Sequence, residues 1–397
     1  GRPSTSVLCA LDGPLDQRLC RHPETLFGRP TEAALADPHN PVVLMDHLRC
    51  AASEAPFALG LAEVRRWHGD AGCQVVMDNL GREFEELQSG VIIYCGTKKR
   101  PAMGVNMRSI DSTQYQVTDT TSGAVYETME SWAAFLRVYE GAVYVHQGNT
   151  YVVEELDLTR HVALVRRRNV NYYTEPRDHV RVHILATKFS MDLPLGVSMV
   201  SKAQEGCGLE CILAHGPVTV RKQVYGYRHR DKHSTEIVEM VDVFLPPLEY
   251  QTYAIWLELP EQVKQHVTGL GRDYDKGGLH SLEHVLIALI PSILMCDPAD
   301  LSCQHTRRDG DLNRDKLLLF ETQRGGLGLC QRLQHNFLAL LQMAKDTILS
   351  CSCNETEGCL SCIQMGGCGE YNEGLDKNAA LDILSLLLPA EEEEREV

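Results

Sequence analysis

The sequence predicts an α+β chain: a winged-helix-like unit, a β-rich, barrel- or sandwich-like middle, and a helical C-terminal domain gathered around a cluster of cysteines. Three observations predict it. Apolar residues recur at helical spacing through 37–90, short alternating strands follow from about 111 to 260, and five cysteines crowd into 351–368 behind an apolar helix. The boundaries implied are 1–36, 37–110, 111–269 and 270–397.

At 397 residues the chain is long enough to fold without cross-links. Its 15 cysteines are odd in number and mostly scattered, which points to a reducing compartment with metal-bound or free thiols. The net charge of -16 argues against coating nucleic acid by bulk electrostatics, although part of the excess lies in the terminal EEEEREV, a solvated tail. The longest apolar run, VLIALIPSILM, is broken by Pro291 and too short to cross a bilayer, so no membrane partner is expected.

In chain order, GRPSTSVLCAL ends in a strand-like run and reads as the middle of an element, so something longer is expected before it. NPVVLMDHLRCAASE and GLAEVRRWHGDAGCQVVMDNLGREFEEL carry helical spacing. VIIYCGTKKRPAMGVNMRSI is two short apolar runs around a basic, Gly/Pro-containing tip, the pattern of a β-wing. GAVYVHQGNTYVVEEL is a hairpin around Gly148-Asn149, and HVALVRR continues the meander. GPVTVRKQVYGY, EIVEMVDVFLPP and TYAIWLEL add strands. HSLEHVLIALIPSILM is a buried helix, KLLLF a strand and RGGLG a tight turn. Leu329, Leu333, Phe337, Leu341, Ala344 and Ile348 stripe a further helix, and LDKNAALDILSLLL closes the domain.

The cysteines carry the strongest chemical signal. Cys359-x-x-Cys362 lets two thiolates reach one ion, and Cys351-x-Cys353 supplies another pair, the pattern of a closed, structural four-cysteine zinc site with no position for a catalytic water. Cys368 is a surplus fifth thiol and an alternate ligand. Cys207-x-x-x-Cys211 is a weaker pair, read as ordinary thiols. His280-Ser-Leu-Glu283-His284 fits the H-x-x-E-H pattern of inverted zinc peptidases, but lacks a visible third ligand and reads better as two histidines framing a core helix. The RGGLG amides can hold a phosphate at a helix start; without the P-loop Lys and Ser/Thr, a strand-to-helix connection is the plainer reading. Cations concentrate at Lys98, Lys99 and Arg100, at Arg160–Arg168 with its run Arg166, Arg167 and Arg168, and in YGYRHRDKH.

In this order the residues resemble a known family, the MrfA-type (mitomycin repair factor A) superfamily 2 DNA helicases with their yeast and plant RecQ-like relatives. That family ends in C-x-C, then G-C-x-x-C, then an L-D-K-x-A-A helix, present here as CSCNETEGCLSC and LDKNAA. DPHNPVVLMDHLRCAASEAPF, EGAVYVHQGNTYVVEELD, NYYT, HSLEHVLIALIPSILMCDPADL and LLLFETQRGGLGL follow the family pattern upstream. GRPSTSVLCAL resembles the chain after the arginine-bearing motif of the second motor domain, so 1–36 is expected to be the end of that domain and a connector. Two departures stand out: Glu321 and Arg324 replace an aspartate and a Pro/Gly-rich entry before the GGLG turn, and Glu283 occupies a usually apolar position.

The resemblance implies the accessory C-terminal half of an ATP-dependent 3′–5′ DNA helicase acting in DNA repair, nuclear or cytoplasmic. Its expected partners are single-stranded or forked DNA, RecA-like motor domains and repair proteins. ATP and Mg2+ would enter through the motor domains alone, since this chain carries no G-x-x-x-x-G-K-[ST] and no D-E-x-[DH] box and is expected to be inactive by itself. Lys98, Lys99, Arg100 and Arg166–Arg168 would contact phosphates, and Tyr172 and Tyr173 would stack bases. Two rivals remain open: a zinc-stapled scaffold without DNA binding, and a zinc metallopeptidase built on His280, Glu283 and His284.

Overall fold

The computed structural model describes residues 4–27, 37–105, 113–194, 210–234, 236–306, 314–366, 368–370 and 372–388. The acidic tail at 391–397, Cys207 and the end of the expected wing at 106–110 lie outside them. Pro14 opens α1 (Pro14–Arg21), where its fixed φ suits a first turn and its missing donor costs nothing, and the single turn α2 (Glu24–Phe27) follows. The strand expected in GRPSTSVLCAL is absent from its described residues, 4–11. Residues 4–11 are irregular, with Val7 80% and Leu11 75% exposed, because a run without a neighbouring strand has no ladder to join.

The next unit holds α3 (Pro41–Glu54) and α4 (Leu61–Asp78). Gly69, at φ 67 and ψ -169, breaks α4 into two pieces, so three helical segments precede the hairpin β1 (Phe84–Glu86) and β2 (Ile92–Tyr94). Leu48, Val64, Val76, Phe84 and Ile92 close a small core. The first of the two expected wing runs forms a strand, and most of the second, at 106–110, lies outside the described residues. Ile92–Tyr94 pairs backward with Phe84–Glu86, and Lys98–Arg100 follow the second strand and lead into a 3-10 turn at Pro101–Gly104. This pairing carries both Phe84 and Ile92 into the core.

Five strands then form one sheet in the order β4 (Val125–Glu130), β3 (Gln114–Asp119), β7 (Val162–Arg167), β6 (Asn149–Asp157), β5 (Val143–His146), with α5 (Ser131–Arg137) packed on it. The β5–β6 hairpin turns through Gln147 and Gly148, both at positive φ, one residue earlier than the Gly148-Asn149 pair the sequence offered.

The second sheet has seven strands and is an open half-barrel. Its spine is β10 (Glu210–Asp231), 22 residues long. One edge of β10 pairs with β9 (Phe189–Pro194) and β8 (Tyr172–Ile184), the other with β12 (Leu248–Leu259) and β11 (Ile237–Asp242). Two strands from beyond residue 269, β13 (Leu301–Thr306) and β14 (Asp315–Glu321), complete it through β12. The sheet therefore draws strands from both sides of residue 269. Strand alternation explains why these segments belong together. Ile255, Leu257, Leu317 and Leu319 face the C-terminal helices, while Ala254, Trp256, Leu318 and Phe320 form a core on the opposite face.

The helical layer comprises α6 (Glu261–Gly269), a π-helical turn at Tyr274–Leu279 that runs into α7 (His280–Leu289), α8 (Leu329–Leu333), α9 (Phe337–Leu349) and α10 (Lys377–Leu387). The stripe from Leu329 to Ile348 is buried as expected, but a 3-10 turn at Gln334–Asn336 divides it into two helices. Helix α7 lies at the centre, buried along its length except at Ala288.

Asn40 joins the first unit to this layer. Its Oδ1 accepts from the Val42 and Val43 amides at 2.9 and 3.2 Å, capping α3, while its Nδ2 donates to the carbonyls of Gly326 at 2.7 Å and Arg324 at 3.2 Å. Asn40 is 2% exposed. Asn40→Ala removes the cap and orphans the buried Gly326 carbonyl, so it should lower stability by about 1–3 kcal/mol. Urea unfolding followed by circular dichroism measures this, and an unchanged midpoint would contradict it.

Candidate metal centres and nucleic-acid surface

Helix α9 ends at Leu349 and delivers Cys351 and Cys353; a turn at Gly358 delivers Cys359 and Cys362. Gly358 sits at φ 67, and a Cβ there would lie 2.3 Å from Ile363 Cγ1 and 3.0 Å from Cys362 Sγ, so the turn demands glycine. The four sulfurs converge: Cys351 to Cys359 is 3.6 Å, Cys353 to Cys362 3.7 Å and Cys359 to Cys362 3.8 Å. A tetrahedron with metal–sulfur bonds of about 2.3 Å has edges of about 3.8 Å, so the spacing fits one zinc ion.

Neighbouring groups complete the fit. The Cys359 amide donates to Cys362 Sγ at 3.2 Å. Lys377 Nζ donates to Cys353 Sγ at 3.5 Å and to the Cys351 and Cys353 carbonyls, both at 3.2 Å. That ammonium offsets part of the negative charge four thiolates would bring. Burial, ahead of the neighbouring thiols, raises the Cys362 thiol far above its ordinary value, so without a cation this sulfur stays protonated.

Cys368 is not part of this quartet. It lies with His280 and His284, whose ligand atoms and its own are all within 4.8 Å of one another. The two histidines do frame a core helix, as their sequence suggested. His284 Nδ1 lies 2.9 Å from the Ile363 carbonyl, to which it must donate, and burial followed by the nearby His280 lowers its pKa to about 4. Glu283 is turned away toward His305, with Oε2 3.2 Å from Nδ1. Burial alone would depress His305, but this carboxylate raises it overall. A peptidase needs an open cleft along its H-x-x-E-H helix, and α7 is enclosed.

The GGLG amides are also spoken for. The buried Glu321 carboxylate accepts from the Leu327 and Cys330 amides, the latter at 2.9 Å, so a carboxylate of this chain occupies the place a phosphate would take. Thr252 Oγ1 donates to the Gln323 carbonyl at 2.8 Å, and the Gly325 amide donates to the Gln251 carbonyl at 2.8 Å, fixing the turn as a connection.

The cations divide into two groups. Arg166 and Arg168 share Glu154, at 2.7 and 3.1 Å, and Arg167 donates to Asn149 Oδ1 at 2.7 Å. Within YGYRHRDKH, Arg230 pairs with Glu175 and His229 with Glu239. Tyr172 stacks on His229 with centroids 4.3 Å apart, and Tyr173 is half-buried beside it on β8. Lys98, Lys99 and Arg100 are exposed and form no ion pair with a described residue. Sequence reasoning missed Lys377, Asn40 and the partners of Cys368. The LDK signature marked the first and an N-cap asparagine before Pro41 the second, but nothing local marked the third.

Comparison with known proteins places these features. Residues 36–110 match the winged helix domain of the ATP-dependent helicase HRQ1, and residues 282–363 match the MrfA Zn-binding domain. The chain is 28% identical over 366 residues to the uncharacterized ATP-dependent helicase YprA of Bacillus subtilis, covering 91% of this chain and 45% of that protein. It is 26% identical over 404 residues to the ATP-dependent helicase hrq1 of Schizosaccharomyces pombe, covering 98% of this chain and 36% of that one. The chain thus spans less than half the length of either relative. The crystal structure of the DUF1998 helicase MrfA bound to DNA shares the fold, with a TM-score of 0.52 at 24% identity over 94% of this chain and 46% of that one.

Replacing Cys359 and Cys362 together with serine should release the bound metal and unfold 270–388, read by metal analysis and thermal denaturation; full retention of both would contradict the quartet. Lys377→Met should keep the fold but weaken zinc binding on the order of 10–100-fold, measured by competition with a chromogenic chelator.

Proposed function

The chain belongs to the MrfA- and HRQ1-type helicase family, and on that premise we propose that it is the accessory, DNA-contacting region of an ATP-dependent 3′–5′ DNA helicase acting in DNA repair. One structural zinc held by Cys351, Cys353, Cys359 and Cys362 staples its C-terminal part. The observation that carries this reading is continuity. A winged-helix region and a zinc-binding region of one family lie in order on one chain and are joined physically through Asn40 and the turn at Arg324–Gly326.

Division of labour follows from what the residues can do. No P-loop or acid box is present, so ATP and Mg2+ would be handled by RecA-like motor domains, and the unburied Val7, Leu8, Leu11 and Phe27 supply apolar surface for such a neighbour. The zinc supplies rigidity: it fixes the Cys351–Cys362 loop against α10 and α7. The exposed Lys98–Arg100 segment, without an ion pair among the described residues, supplies sequence-independent phosphate contacts, which suit an enzyme that moves along a strand. The Arg166–Arg168 run is the weaker phosphate site, since Glu154 holds two of its three arginines.

A second reading, a zinc-stapled scaffold without DNA affinity, draws support from the net charge of -16 and from that Glu154 pairing. Fluorescence anisotropy with single-stranded and forked DNA at two salt concentrations separates the two. The DNA-contacting reading predicts salt-sensitive binding, weakened by joint replacement of Lys98, Lys99 and Arg100 with alanine, with the salt slope reduced by about 0.7 per lost phosphate contact on a single strand. Zinc-loaded protein without affinity for either DNA would leave the scaffold reading.

A further inference from the structure

We infer that His280, His284 and Cys368 are the protein ligands of a second metal site, one that takes a zinc-class divalent cation through two imidazole nitrogens and a thiolate. His280 and His284 stand one turn apart on α7, directly after the π-helical turn at Tyr274–Leu279, with ring centroids 4.4 Å apart. The irregular turn and the one-turn spacing bring both rings to one side of the helix. The loop after the four-cysteine turn brings Cys368 over them.

The geometry matches the chemistry of such an ion. His280 Nε2 lies 3.4 Å from Cys368 Sγ. A zinc with bonds of about 2.0–2.1 Å to nitrogen and about 2.3 Å to sulfur at a tetrahedral angle sets that separation at about 3.6 Å. His284 donates from Nδ1 to the Ile363 carbonyl, which leaves Nε2 with its lone pair free, the arrangement a ligating imidazole adopts when a backbone carbonyl orients it. His280 is 6% exposed, and its Nδ1 has no hydrogen-bond partner among the described residues, so the thiol is the polar group its ring addresses. Without a metal the thiol proton bridges Cys368 Sγ and His280 Nε2; a cation held by the thiolate and the two imidazoles would take the place of that proton.

Described residues on either side of Cys368 are tied together. Asn372 Oδ1 accepts from the Met365 amide at 2.9 Å and its Nδ2 donates to the Met365 carbonyl at 3.1 Å. Three protein ligands leave one tetrahedral corner for water or a further donor. The Ile363 carbonyl, one residue after Cys362, couples this site to the four-cysteine site, so the two ions would brace α7 and the loop from adjacent positions.

The test is zinc per chain by mass spectrometry on the full chain grown in zinc, with X-ray absorption to read the sulfur and nitrogen shells. About two zinc ions per chain are expected, with imidazole nitrogen in the averaged shell. Cys368→Ser and His284→Ala should each remove about one ion and leave an all-sulfur shell. Cys359→Ser should remove the other. The wild-type nitrogen signal tests the site even if a variant fails to fold. A single zinc in an all-sulfur shell, or a nitrogen signal that survives both variants, overturns the inference. A single zinc in a mixed shell that Cys368→Ser abolishes would uphold this site and refute the four-cysteine one.

Discussion

Four cysteine sulfurs brought to within 3.6–3.8 Å of their neighbours set the constraint on which the C-terminal half depends. Thiolates this close repel one another, and partial burial denies them solvent, so the turn holds its shape as an ion site or relaxes. The surrounding contacts are organised around that demand. Gly358 takes the positive φ that brings the second pair into place, Lys377 at the start of α10 donates to a sulfur and two carbonyls, and Ile363 receives the His284 imidazole from the central helix. The loop, α7 and α10 are thus held through the sulfur cluster as well as through their shared apolar core.

A second constraint decides how this half meets the winged-helix unit. A tight strand-to-helix turn leaves amides and carbonyls, some of them buried, that must find partners. Here Glu321 takes the amides and Asn40 the carbonyls. Because Asn40 also caps α3, the first helix of the winged-helix unit is oriented by a turn nearly three hundred residues away. The exposed Lys98–Arg100 segment belongs to that same unit, so its direction on the surface is set by the core of the other.

Local chemistry was legible in the sequence, and long-range pairing was not. The Cys351–Cys362 quartet, the stripe from Leu329 to Ile348 and the β5–β6 hairpin follow from spacing within a few residues, and each is present. KLLLF reads as a strand but carries no mark of its partner, and β12 recruits it across more than fifty residues. The arginine run looked like a free basic patch because Glu154, the bulged residue of β6, faces it only once the register is known. Cys368 looked like a spare ligand for the quartet because its neighbours, His280 and His284, lie more than eighty positions upstream.

The most direct test of the central claim is hydrogen exchange read by mass spectrometry, with and without a strong zinc chelator. If the sulfur cluster organises the C-terminal half, chelation strips protection from 351–388 and from α7, while the five-stranded sheet at 114–167 keeps its own. Unchanged protection in both regions would mean that apolar packing alone holds that half together, and that the cysteines are not its structural anchor.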